Sequence, residues 1–273
     1  MNEINQSQSG IKLSGLNYFS GSAIVIGYVA LTLGVTIYSM RGIMPADSYG
    51  YLDFAAQVSE HGWQAALQQM PRLGNFPPLL TILMVAIHRT GIPLETAGRA
   101  LNICACLLAA WGVWNCCWQL YRKPLTALGV ALLVCSLPGW YEYSRGILRD
   151  PLYWTIVIWS CWLWLLIGRR QESWGEQCLL LLGIGLLAGL GFWCRKEMLI
   201  FVSLEVAMLL IWRFITIVKT PLRLRGRECL KTLLLLVLML LPAGILLGGL
   251  AVGNYGYTPW NMVGEMLDDA DHD

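Results

Sequence analysis

The chain has 273 residues, 56% of them hydrophobic and 13% charged, with a formal net charge of +2 and 13 tryptophans. A soluble domain usually carries about 25% charged residues, so this composition excludes a water-soluble globule. So small a net charge also gives no reason to expect a nucleic-acid partner.

Residues 1–20 are polar and lack the short apolar core and small-residue cleavage site of a secretory signal, so they read as a cytoplasmic N-terminal segment. The first apolar run, 21–40, is free of charge and long enough to cross a hydrocarbon core of about 30 Å. It is expected to stay in the protein as an anchor. Just beyond it comes Asp47, in the stretch Ala46-Asp47-Ser48-Tyr49-Gly50-Tyr51-Leu52-Asp53, which opens an outer loop over 41–98. That loop contains an amphipathic piece, 49–70, and a 12-residue apolar run, 76–87, opening on Pro77-Pro78. Twelve residues are too few to span, so 76–87 is predicted to lie in the interface or against the bundle, with a short tilted span as the alternative.

Apolar runs at 101–121, 124–140, 151–168, 177–194, 198–218 and 232–252 bring the count to seven. The predicted fold is an all-α polytopic membrane protein of about seven transmembrane helices, with juxtamembrane helices in the first outer loop. The membrane module covers 21–257, and an acidic tail, 258–273, follows. With the N-terminus inside, ten cations fall on the inner side, among them Arg122, Lys123, Lys219, Arg223, Arg225, Arg227 and Lys231. Eight fall outside, several in the long loop, and Arg213 lies within a span. The inner charges sit tight against helix ends, which favours this orientation in a plasma (inner) membrane. The nine cysteines lie mostly within apolar runs at no zinc-like spacing and read as small hydrophobes.

Three segments gather polar groups on the expected outer face: 41–98; 138–150, with Glu142, Arg145, Arg149 and Asp150; and Arg195-Lys196-Glu197, wedged between two apolar runs. Cations together with carboxylates suit a phosphate-bearing substrate, since the cations hold phosphate and a carboxylate deprotonates an acceptor. Each residue also has a plainer reading. Asp47 and Asp150 fit helix N-termini, and Arg195 fits an interfacial anchor. Glu205, seven residues into a span, is either functional or paired with another helix. The carboxyls of 268–273 offer ligands for a divalent cation or form a frayed acidic end.

Four of these segments, in this order, resemble the GT-C glycosyltransferases, specifically the group of protein O-mannosyltransferases and lipid A aminoarabinose transferases. They are Asp47-Ser48-Tyr49-Gly50-Tyr51, Pro77-Pro78-Leu79-Leu80, Arg149-Asp150-Pro151-Leu152, and Gly189-Leu190-Gly191 followed by Arg195-Lys196-Glu197. The resemblance runs from about 21 to 257. It departs at Ser48, where a second acidic residue is common, at Gly146, near a position often held by a carboxylate, and at Lys196, where proline is common. It also lacks the further helices usual in the family, so the expectation includes a short member, or one needing a second polypeptide.

The resemblance implies a seven-helix module with its active site on the outer face. It implies transfer of a sugar from a polyprenyl-phosphate carrier to a lipid, glycan or protein acceptor, with inversion. Asp47 would be the general base, and Arg195 with Arg149 or Lys196 would stabilise the departing phosphate. Asp150, Glu197, Tyr51 and Glu142 would complete the substrate site. The alternative from another class is a non-catalytic carrier or partner subunit for lipid-linked sugars, or an inactive truncated member.

Overall fold

The computed structural model describes residues 18–39, 45–69, 78–144, 146–169 and 173–252. Those residues form helices and turns, with no strand among them. In chain order the helices are α1 (Tyr18–Ser39), α2 (Ala46–His61), α3 (Trp63–Gln69), α4 (Pro78–His88), α5 (Leu94–Tyr121), α6 (Pro124–Cys135), α7 (Pro138–Ser144), α8 (Asp150–Arg169), α9 (Trp174–Phe192), α10 (Met198–Lys219) and α11 (Arg225–Val252). A single 3₁₀ turn, Leu222–Leu224, precedes α11. Helices close their backbone hydrogen bonds internally, which is why long apolar runs take this form where no water can satisfy them. Six of them, α1, α5, α8, α9, α10 and α11, are long and apolar enough to cross a membrane.

Side-chain pairs fix the direction of each helix. Thr155 Oγ1 donates to Ala105 O at 2.8 Å and Trp159 Nε1 to Leu108 O at 3.0 Å, so α5 and α8 rise in the same sense. The chain must therefore return between them, and α6 with α7 make that return beside α1. There Tyr28 bonds Ser136 at 2.7 Å and Thr32 donates to Tyr141 at 3.1 Å. A continuous span over 124–140 was expected; the structure breaks it. The amides of Ser136 and Leu137 turn back to the carbonyls of Leu133 and Val134, and Pro138, with no N–H to offer, begins α7. At about 1.5 Å per residue α6 alone covers roughly 18 Å, so the return from α5 to α8 is a jointed pair and not a regular span.

Other boundaries shift too. α5 and α11 begin at Leu94 and Arg225, seven residues before the apolar runs at 101 and 232. The amphipathic piece after Asp47 divides into α2 and α3 at Gly62, whose φ of 83° lies where glycine is favoured. α4 has 11 residues, about 16 Å, and does not reach across a bilayer. It packs Leu80 and Met84 against Tyr51, Ala55, Ile147 and Leu148, beneath the start of α5.

The core has two halves. One surrounds Trp114 between α1, α5 and α6, with Val25, Val29, Ala110 and Ala131. The other lies among α8–α11 and includes Ile184, Leu209, Leu235 and Met239. Its closest approach is between α9 and α11, where a Cβ on Gly185 would sit 2.0 Å from Met239 O. One turn on, a Cβ on Gly189 would sit 3.2 Å from Ala243 Cα. Small residues four apart let membrane helices meet backbone to backbone. Trp193 Nε1 then donates to Leu246 O at 2.9 Å, so α9 and α11 are also parallel, with α10 returning between them. Leu204, Phe214, Leu230 and Ile245 stay exposed, as a lipid-facing surface requires.

Candidate functional site at one end of the bundle

The starts of α2, α4, α8 and α10 meet at one end. Ser48 is buried, and its Oγ accepts a hydrogen bond from Ile147 N at 3.0 Å. Asn102, buried in α5, donates to Gly146 O at 2.5 Å. A Cβ on Gly146 would lie 2.5 Å from Ser48 Oγ and 2.8 Å from Pro45 Cδ. This close approach explains why glycine stands at 146: a carboxylate there would displace the start of α2. Two residues after this contact segment comes Arg149, and then Asp150 in the first turn of α8.

Asp150 is buried, and its Oδ1 is 3.0 Å from Arg195 Nη1. Arg195 lies in the turn between α9 and α10, where its amide bonds Gly191 O at 2.8 Å and its carbonyl accepts from Met198 N at 3.2 Å. Its guanidinium carbon sits 5.8 Å from the centre of the Tyr153 ring, and its Nε is 3.7 Å from Glu197 Oε2. Neither Nε nor Glu197 Oε2 has a hydrogen-bond partner among the described residues. Leu79 N donates to Trp193 O at 3.0 Å, which ties the start of α4 to the same turn.

Cys194 reports the local field. Burial pushes its thiol from the ordinary 9.0 up to about 12; the positive charges of Arg149 and Arg195 pull the other way, and Asp150 adds to the rise. Arg149 thus belongs to the same electrostatic neighbourhood as the Asp150–Arg195 pair. Within the 149–150 and 195–197 segments, three cations accompany two carboxylates.

The sequence-selected residues divide by placement. Asp150, Arg149, Arg195 and Glu197 come together, with half-buried Lys196 in the same turn. Asp47 is exposed in the first turn of α2, next to the Ser48 contact that fastens this helix to 146–147. Its charge there favours the helix N-terminus, whose N-cap is Pro45. Tyr51 is buried in the cluster under α4, and Glu142 is exposed on α7. Arg145, Pro77 and the 258–273 tail lie outside the described residues. Among the described residues no group of three or more His, Cys, Asp or Glu is arranged to hold a metal ion.

Two polar clusters elsewhere had only faint sequence signals. At the opposite end of α10, buried Arg213 meets Glu228 Oε2 at 2.7 Å and Thr232 Oγ1 at 3.1 Å, and Lys231 reaches Glu228 Oε1 at 2.6 Å. A lone arginine within a span was the sign of it. Nearer the middle, Glu205 Oε1 accepts from Ser160 Oγ and, at 3.2 Å, from Trp164 Nε1. No known family model, curated protein or solved structure matches this chain.

Proposed function

We propose that the protein is a membrane glycosyltransferase, moving a sugar from a polyprenyl-phosphate carrier to an acceptor at the end of the bundle where α2, α4, α8 and α10 begin. The acceptor oxygen attacks the anomeric carbon from the face opposite the phosphate. The bond to the phosphate oxygen breaks, and its electron pair leaves with the lipid phosphate. Asp47 takes the acceptor proton, and Arg195, with Arg149 or Lys196, meets the negative charge that gathers on the leaving group. The reading assigns this end to the extracytoplasmic side.

The Asp150–Arg195 pair, 3.0 Å apart, supports this reading most. Asp150 occupies one edge of the guanidinium, which has five N–H donors in a rigid fork, so donors remain for a phosphate. A merely anchoring arginine has no need of a buried carboxylate to orient it.

Native mass spectrometry of the purified chain tests the reading. A polyprenyl-phosphate species should co-purify with the wild type. Loss of charge-assisted hydrogen bonds should lower its occupancy in Arg195→Ala by about tenfold or more, in protein whose helical content is unchanged. Absence of any phosphate-bearing lipid, or equal occupancy in the variant, would overturn it.

A further inference from the structure

A second site lies within the membrane part of the bundle. Residues of α5, α8 and α10 line a groove of about 460 Å³, among them Leu120, Cys161, Trp164, Leu204, Glu205 and Met208. That volume falls within the roughly 300–1,000 Å³ typical of small-molecule sites. Its rim is open, since Leu120, Cys161, Leu204 and Met208 are exposed, and its lining is almost wholly apolar. The exception is Glu205, whose residue surface is 2% exposed.

Ser160 and Trp164 hold Glu205 in place through Oε1 alone. Oε2 is buried and has no hydrogen-bond partner among the described residues. A buried polar atom left unpaired is costly, and one on a carboxyl group especially so. Ser160 is the eleventh of the 20 residues of α8, about 15 Å from either end of that helix. Lipid headgroups do not lie at such a depth, and a charged group brought there pays heavily. A single hydroxyl costs far less, and it both donates and accepts, so it satisfies Oε2 whether or not Glu205 carries a proton.

We propose that this groove binds a neutral lipid chain bearing one hydroxyl, with the chain along Leu120, Leu204 and Met208 and the hydroxyl on Glu205 Oε2. The site is independent of the sugar-transfer reading. It shares none of the residues of the Asp150–Arg195 end, and failure of either leaves the other standing.

Photolabelling of the full chain in liposomes tests it, using a hexadecanol with a mid-chain diazirine alongside the matched hydrocarbon and the matched amine. Labelling is normalised to the amount of each probe in the bilayer and mapped by peptide mass spectrometry. The alcohol should label groove peptides of α8 and α10 about two- to tenfold more than the hydrocarbon, the gain expected from one net hydrogen bond. Glu205→Leu should abolish that preference. Cys161→Trp, which fills the groove and leaves Glu205 intact, should abolish groove labelling by both probes, and it decides the matter if the Glu205 variant does not fold. Equal labelling by alcohol and hydrocarbon in the wild type would mean that ordinary bilayer lipid fills the groove, and would overturn the proposal. So would stronger labelling by the amine, or unchanged groove labelling in Cys161→Trp.

Discussion

Removing Arg195 leaves Asp150 nearly buried without its partner, and the resulting loss of stability can be sized. The pair is 3.0 Å apart, with side-chain exposures of 28% for Arg195 and 11% for Asp150. At an effective dielectric constant near 20 the gross attraction is about 5 kcal/mol, much of it offset by desolvation of the two ions. Breaking a fully buried pair costs about 3–5 kcal/mol. Arg195 is more than a quarter exposed and water screens it in part, so Arg195→Ala should cost about 2 kcal/mol. Asp150→Asn keeps the shape and one hydrogen bond and should cost about 1 kcal/mol. Because both changes act on the same contact, Arg195→Ala removing it and Asp150→Asn removing its charge, the double variant should fall short of the sum by about 1 kcal/mol. Reversible unfolding in mixed micelles, followed by helical circular dichroism against the mole fraction of denaturing detergent, measures all three. An Arg195→Ala cost under about 0.5 kcal/mol, or strict additivity, would refute the claim that this pair fastens the start of α8 to the turn before α10.

Gly185→Leu should push α9 from α11 and cost about 3 kcal/mol, since the obstructing atom is the backbone oxygen of Met239, which cannot rotate away. Gly129→Ala, with open space around it, should cost nothing in the same unfolding assay. Cys194 should resist maleimide at pH 8. With its thiol at about 12 against an ordinary 9.0, its thiolate fraction is about 10³-fold lower, and exposed Cys229 is the internal reference. Because the thiol is pushed up, its labelling should quicken about tenfold per pH unit up to about pH 11; equal rates for the two cysteines at pH 8 would contradict the account.

The sequence carried the membrane class and the helix order, because apolar runs of bilayer length are a direct consequence of a dry solvent. It also marked the Asp150 and Arg195 segments, since charged groups between such runs have few places to go. It did not reveal the joint at Ser136–Leu137, because 124–140 carries no charge and only Pro138 hints at a break. Nor did hydropathy separate Gly185 and Gly189, where an added Cβ would collide with α11, from Gly27 and Gly34, where it would meet nothing within 4 Å. Tyr51 shares a motif and, four residues on, a helix face with Asp47, yet only Tyr51 is buried at the α2–α4 contact, because Asp47 sits in the first turn at the open end of α2. Glu205 showed itself as an intramembrane carboxylate, but its partners Ser160 and Trp164 lie more than 40 residues away and needed the fold to bring them near.

Asp47 is the proposed base that activates an acceptor at the Asp150–Arg195 end. The most direct test of that role is sugar transfer by the reconstituted chain, supplied with a radiolabelled polyprenyl-phosphate sugar and a crude envelope acceptor. The wild type should transfer label with inversion, and Asp47→Asn should lose about 10²–10⁴-fold in rate while binding the donor lipid as before. Full activity in Asp47→Asn would contradict the account, and so would a wild type that binds the donor and transfers nothing, which is the behaviour of a carrier or of a subunit awaiting a second chain.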